Sequence, residues 1–562
     1  MASIQKYSVK GRVYWRIVES RRVEGKPRAI PVLHLGTADA LLERLLNADK
    51  DRTDGISIKS FEHGAVAALL KIAEEIGLVE IIDRIVPPKK KGKISTGLAI
   101  LFIAINRLVD PCSKNSWSDW AQRTSLFRFY PSVPLTKLSS QFFWEHMQLI
   151  PEDALRRIEE ELISFIIKKY DLDMNLLFFD TTNCYSYVEN RDDPEWLFQY
   201  GHSKENQTNR RIFGVELLVS KDSNIPLYHN TYPGNVHDSK LFPEAVSRLL
   251  SQVRRTGAIP SNVTLVFDRG NLSKENFSLI DKSGFGFVSA LRMGDIPKEL
   301  FGVQLQRFSR IKDGKYKGMS YRVEKIRLWG GERKIVFYIS NEAKEYQTRM
   351  LNTQIERALK ELSEWNTTIV NQSTEHHIDD LKVKKKIEAL QRSPYLKEIL
   401  DITYDPSKPK QDRLQFSVNH KAKEDIIIKY FGKRALVTNR MHWSPAEIIN
   451  AYFSQSIVEH AFRASKNKHH ISLRPQFHWT NQSLRIHVFT CFLALLMGQL
   501  LLRKAKHKKL DYSSINQIID DLSSIRIAAI LKNGRSSLSS PTVEWKIEKC
   551  SASLNTMMEA LL

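Results

Sequence analysis

Polar and apolar positions alternate through residues 3–36 (YSVKGRVYWRIVES, then AIPVLHLG), around a turn at Glu24-Gly25-Lys26, and predict a small β-rich unit. From Phe61 the apolar period becomes helical. Residues 61–86 and 95–109 read as helices separated by Pro87-Pro88-Lys89-Lys90-Lys91-Gly92-Lys93, and more helix follows at 139–170.

At residue 173 the pattern changes again. MNLLFFD, FGVELLVSKD and PLYHNTY read as three strands in a meander, followed by a helix (SKLFPEAVSRLLSQVR), a strand (VTLVFD), a helix (KENFSLIDKSG) and a strand (FGFVSALR). This succession predicts an α/β layer on a mixed sheet. Residues 293–435 interrupt it with strand-like stretches and a long charged helical pattern from Glu342 to Leu390, and read as an inserted subdomain. Two long helices are expected at 445–469 and 482–505, the first with Ser444 as N-cap, Pro445 at its first position and Glu447 at its third. The expected organisation is a β unit over 1–55, a helical region over 56–170, a core in two parts (171–292 and 436–510) around the insert, and a helical tail over 511–562.

Lys and Arg exceed Asp and Glu by 85 to 63, a net charge of +22 over 562 residues, which favours a polyanionic partner. The N-terminus lacks the apolar segment of a signal peptide. The apolar stretch Val488–Leu502 reads as a buried helix, too short to span a bilayer. Cys112, Cys184, Cys491 and Cys550 lie far apart, without zinc-ligand spacing, and read as reduced thiols of a cytoplasmic protein.

Asp180 (FFDTT) and Asp268 (VFDRGN) each close an apolar strand. On neighbouring strands they would meet at the carboxyl-end rim, where open α/β sheets build their sites. Two such carboxylates suit a hard cation such as Mg²⁺, and a pair of ions suits phosphoryl transfer. An Asp that merely caps a turn is the commoner case for either position alone. Past Pro445, Tyr452, Gln455, Glu459 and Lys466 fall three, four and seven residues apart, one stripe of a continuous helix, beside apolar Ile448, Ile449, Ile457, Val458, Ala461 and Phe462.

These residues resemble the DDE transposases of bacterial insertion sequences, in particular the insertion-sequence-four group with its Y-x-x-R-x-x-x-E-x-x-x-x-x-x-K signature. Here the signature reads Tyr452, Gln455, Glu459 and Lys466, with Gln455 in the place of Arg; Arg463, one turn past Glu459, is a candidate to replace the charge. The flanks GHSKENQTNRR, IPLYHNTYPGNVHDSK and LRPQFHWTNQSLRIHVFTCFLALLM are also similar to the family. The resemblance implies a ribonuclease-H-like core with Asp180, Asp268 and Glu459 as the catalytic, metal-binding triad, two Mg²⁺ ions (Mn²⁺ substituting), and a transposase that cuts element ends and joins them to target DNA.

It also implies double-stranded DNA as partner (terminal inverted repeats and target), a homodimer in the synaptic complex, no membrane, and a nucleoid-associated location in a bacterial or archaeal cell. Tyr452, Gln455, Arg463, Lys466, Lys204, Arg210 and Arg211 are the expected DNA contacts. Trp329 is a candidate for stacking on a base, though hairpin packing explains it more simply. A nuclease that cuts without joining and an inactive DNA-binding repressor remain as alternatives. The pairs His376-His377 and His469-His470 read as surface histidines, and the runs Lys89–Lys93 and Lys382–Lys386 as solvated or phosphate-facing.

Overall fold

The computed structural model describes residues 2–23, 26–51, 57–88, 94–187, 193–204, 209–296, 300, 307–371, 380–474, 477–531, 538 and 543–562. The run Lys89–Lys93 and the pair His376-His377 lie outside them.

Strands β1 (Ala2–Val9), β2 (Arg12–Val23) and β3 (Lys26–Gly36) form an antiparallel three-stranded sheet, as their alternation predicts, followed by α1 (Ala38–Asp51). Then come β4 (Ser57–Glu62) and the helices α2 (Gly64–Glu75), α3 (Leu78–Ile85), α4 (Thr96–Val109), α5 (Trp117–Arg123), α6 (Leu126–Phe129), α7 (Ser140–Gln148) and α8 (Glu152–Tyr170). The single helix expected over 61–86 is broken at Gly77, whose positive φ of 62° suits a residue without Cβ.

The meander is β5 (Leu176–Tyr185), β6 (Ile212–Ser220) and β7 (Pro226–Pro233), each antiparallel to the one before. Helix α9 (Phe242–Thr256) leads to β8 (Thr264–Phe267), parallel to β5, and α10 (Lys274–Ser283) to β9 (Gly286–Ala290), parallel to β8. The segment expected as a separate insert then rejoins the sheet: β10 (Ser309–Arg310), β11 (Ser320–Leu328) and β12 (Gly331–Ile339) extend it. Outside the sheet stand α11 (Asn341–Val370), α12 (Asp380–Leu390), α13 (Pro394–Ile399), the hairpin β13 (Leu400–Tyr404) and β14 (Leu414–Val418), and α14 (His420–Tyr430), with small cores of their own around Leu351, Ile399, Ile426 and Leu362. Strand β15 (Lys433–Thr438) returns between β12 and β9, completing nine strands in the order β10-β11-β12-β15-β9-β8-β5-β6-β7.

Helices α15 (Pro445–Phe453), α16 (Ser456–Ser465), α17 (Asn481–His507) and α18 (Ile515–Ser523) follow. The tail expected to be helical contains β16 (Arg526–Leu531) and β17 (Glu544–Ile547) before α19 (Ala552–Leu561), and β16 pairs with β4 from the other end of the chain. At 27 residues α17 is long and apolar enough to cross a membrane, contrary to the shorter stretch read from sequence, yet 94% of its apolar window is buried inside the fold. It packs on α2, α4, α7 and β7, so the helical region and the sheet share one hydrophobic core rather than forming separate bodies.

Candidate active site

Strand β5 is central in its sheet, and Leu176–Phe179 are buried on both faces. Asp180, half-buried, is the first position where the strand admits a charge. Phe179 pairs with Phe267 of parallel β8, so Asp180 and Asp268 follow at the same level on adjacent strands. Each carboxylate accepts a hydrogen bond from the next residue's N–H, Thr181 and Arg269, at 2.7 Å. Asp268 also caps the short helical turn Arg269–Asn271, so it meets the turn-capping account as well as the site account. Its side chain is exposed.

The capping box forms as the sequence predicts: Glu447 N donates to Ser444 Oγ at 3.2 Å, and Ser444 N to Glu447 Oε2 at 2.7 Å. The helix expected to run on to residue 469 instead breaks between α15 and α16. Around Ser454-Gln455 the bonds tighten to the i→i+3 kind, Gln455 N to Tyr452 O and Val458 N to Gln455 O, while Ser454 Oγ donates to Asn450 O. The stripe is therefore split. Tyr452, on α15, lies near Asp268; burial and that carboxylate's charge both raise its hydroxyl pKa. Lys466, at the end of α16, donates from Nζ to Thr182 Oγ1 at 2.8 Å and to Asn183 O at 3.0 Å.

Thr182 shares a face of β5 with Asp180, because side chains alternate along a strand. Helix α16 packs on β5 and β6, so Glu459, seven residues from both Tyr452 and Lys466, is carried on the helix between the two contacts. Glu459 is exposed, and among the described residues no three His, Cys, Asp or Glu side chains are gathered closely enough to hold a metal. What the sheet brings together is the Asp pair. Its donors are all carboxylate oxygens, the ligands a hard divalent cation takes.

On the other face, Lys204 Nζ donates to Thr181 O at 2.6 Å and Thr181 Oγ1 at 2.9 Å, and Asn183 Nδ2 to His202 O at 2.9 Å. Gly201 allows this loop to approach: a Cβ there would lie 2.0 Å from Gly234 O.

The sequence matches the family model described as "Transposase DDE domain" over residues 186–497, more than half of the chain. The protein belongs to that family. The match begins just past Asp180 and includes Asp268 and Glu459. No curated protein matches. A cryo-EM structure of a piggyBac transposase synaptic complex with hairpin DNA is similar at 9% identity, covering 81% of this chain and 79% of that one, with a TM-score of 0.38.

Elsewhere in this DDE transposase, Arg210 stacks over Tyr187 at 4.2 Å and Arg211 over Tyr200 at 4.7 Å. Gln455 is half-buried at the start of α16 and makes no capping bond with its side chain. Arg463, exposed, lines a cavity of about 600 Å³ with His460, Lys466 and Arg474. Trp329 turns the β11–β12 hairpin at φ 49° and stacks on Phe277 at 4.6 Å, the packing account of that residue. His470 is not a surface histidine: it is buried, bonded to Leu108 O at 2.8 Å and Asp520 at 3.3 Å. Lys382, Lys384, Lys385 and Lys386 are exposed on α12.

Sequence reasoning missed Thr182, Asn183, Tyr185 and Tyr187. Their one local signal was the polar and aromatic run directly after FFD.

Proposed function

We propose that the chain is a metal-dependent transposase of the insertion-sequence-four kind, which cleaves DNA at the ends of its own element and joins the freed 3′-hydroxyls to target DNA. The observation that carries this reading is the placement of Asp180 and Asp268 at one level of adjacent parallel strands. The strand order β7-β6-β5-β8-β9, with a parallel β5-β8-β9 half, supports a ribonuclease-H-like core.

Asp180 and Asp268 would hold Mg²⁺, with Glu459 brought in from α16. Bound there, divalent ions supply a polarised nucleophile and neutralise charge on the leaving oxygen. The chain's own part is positioning. Tyr452 sets α15 against Asp268, Lys466 and Lys204 clamp β5 from its two faces, and the cations Arg210, Arg211 and Arg463 would meet the phosphates of a bound polyanion. The partner is double-stranded DNA, engaged as a homodimer.

A duplex carrying a pre-cut element end, incubated with plasmid and Mg²⁺, tests the reading. Joined product is expected. Cutting without joining would indicate a nuclease, and binding alone a repressor.

A further inference from the structure

A cavity of about 450 Å³ lies between the loop joining α4 to α5 and the segment leading into α17. Its wall carries Arg107, Lys114, Trp144 and His478, with hydroxyl and amide groups from Ser113 and Asn115, and no carboxylate. Lys114 Nζ sits 4.4 Å from the Trp144 ring centroid and 3.1 Å from His478 Nε2. His478 in turn stacks on His487 at 4.5 Å.

The titratable groups that face Lys114 from the surrounding elements are Arg107 on α4, His478 in the loop, and His487 and Cys491 on α17, of which only Arg107 is charged near neutral pH. Burial, and after it Arg107, pull the Lys114 pKa down to about 7; burial and these cations push both histidines well below their ordinary value. Arg107 meets the carbonyl of Cys112. A half-buried ammonium beside a guanidinium, with no anion on the wall, is a costly arrangement that an entering anion would relieve.

The cavity also adjoins the outlet of β5. Phe477, on its wall and 62% exposed, stacks on Tyr187 at 5.9 Å, and Arg210 covers Tyr187. From Asp180 to Tyr185 the strand rises about 17 Å, which is about five nucleotide steps of 3.4 Å.

We propose that this cavity binds a backbone phosphate of DNA, several nucleotides from the carboxylate pair, on the path of the strand past Tyr187. The proposal rests on the transposase reading for the origin of the phosphate. Lys114 and Arg107 supply the charge, Ser113 and Asn115 further donors, and Trp144 and Phe477 the walls.

The test uses the full chain and one labelled duplex. Wild type is expected to bind with a slope of log affinity against log salt that falls by about 0.9 in Lys114→Gln, with affinity about tenfold weaker at low salt. Lys114→Arg is expected to restore both. At pH 8 wild type should take up protons on binding, as the ammonium re-forms beside the phosphate, and Lys114→Gln should take up fewer. Near-ultraviolet circular dichroism confirms that the variants fold; should Lys114→Gln not fold, a proton uptake in wild type equal to that of Lys114→Arg overturns the site.

Equal slopes and proton uptake in wild type and Lys114→Gln overturn it as well. Inorganic phosphate alone is the second arm: binding that depends on Lys114, with DNA slopes unchanged, would assign the cavity to free phosphate and overturn the DNA assignment. A wild type that binds no duplex overturns the transposase reading itself, a distinguishable result.

Discussion

Lys466 and Thr182 lie 284 residues apart in sequence and 2.8 Å apart in space, Nζ to Oγ1. The bond fastens the end of α16 to the strand that carries Asp180, two residues beyond it. Glu459 is thereby carried on a helix that is tied to β5 at its C-terminal end and packs on β5 and β6.

The triad is the first point to test. Asp180→Asn, Asp268→Asn and Glu459→Gln each remove a ligand charge with little change of volume. Each is expected to lower cleavage by on the order of 1000-fold while melting temperature and duplex affinity stay near wild type. Metal-dependent cleavage at the wild-type rate in any one of them removes that residue from the site.

Lys466 is expected to act as a brace rather than a phosphate contact, since two of its N–H bonds go to β5. Lys466→Ala should cost about 1–3 kcal/mol of stability and slow cleavage, with the salt dependence of duplex binding unchanged. A slope reduced by about one unit would instead show that the ammonium reaches DNA.

Glu216 sits on β6 opposite Thr181, fully buried, and accepts a bond from Tyr228 Oη at 2.8 Å. Burial lifts its pKa from 4.5 to about 7. A carboxyl that holds its proton more tightly when folded favours the fold at low pH, and this contribution fades as pH rises from 4.5 to about 7. Glu216→Gln should therefore be more stable than wild type at pH 8, by up to about 3 kcal/mol, and show a flatter melting profile across that interval. Parallel profiles for the two proteins would refute the assignment.

Glu159 behaves in the opposite sense. Burial would raise its pKa, but His229, 2.8 Å away, and Arg248, 3.5 Å away, outweigh burial and hold it low. Its contribution is full above the ordinary glutamate value of 4.5 and is lost as pH falls through the lower folded one. Glu159→Ala strips buried His229 and half-buried Arg248 of the carboxylate between them and should cost about 3 kcal/mol, measured by denaturant unfolding at pH 7.

The N-terminal sheet packs with α1 and mainly with itself, whereas α2 and α4 pack on α17. Removing residues 1–51 should leave the melting temperature within a few degrees of wild type. Removing 1–150 should unfold the protein, by stripping α17 of its cover. A soluble, cooperatively folding 151–562 fragment would contradict the shared core.

Local chemistry made much of this legible in the sequence. The apolar run before Asp268 marks a strand that ends there, and the run before Asp180 marks a strand although β5 continues five residues past it to Tyr185. The Ser444–Glu447 box starts a helix where the spacing requires one, because caps and periods act within a few residues. Glu459 is singled out by the family resemblance, not by spacing. Tertiary structure decided the rest. That β11 and β12 extend the core sheet, that β16 from the tail pairs with β4, and that α17 is sheathed by helices from the other end of the chain depend on partners from about a hundred to more than four hundred residues away. The split of the Tyr452–Lys466 stripe is of the same kind. A continuous helical pattern carries no sign that Tyr452 must meet Asp268 on β8's side while Lys466 meets Thr182 on β5, and the tightened turn at Ser454-Gln455 divides the helix between those two contacts.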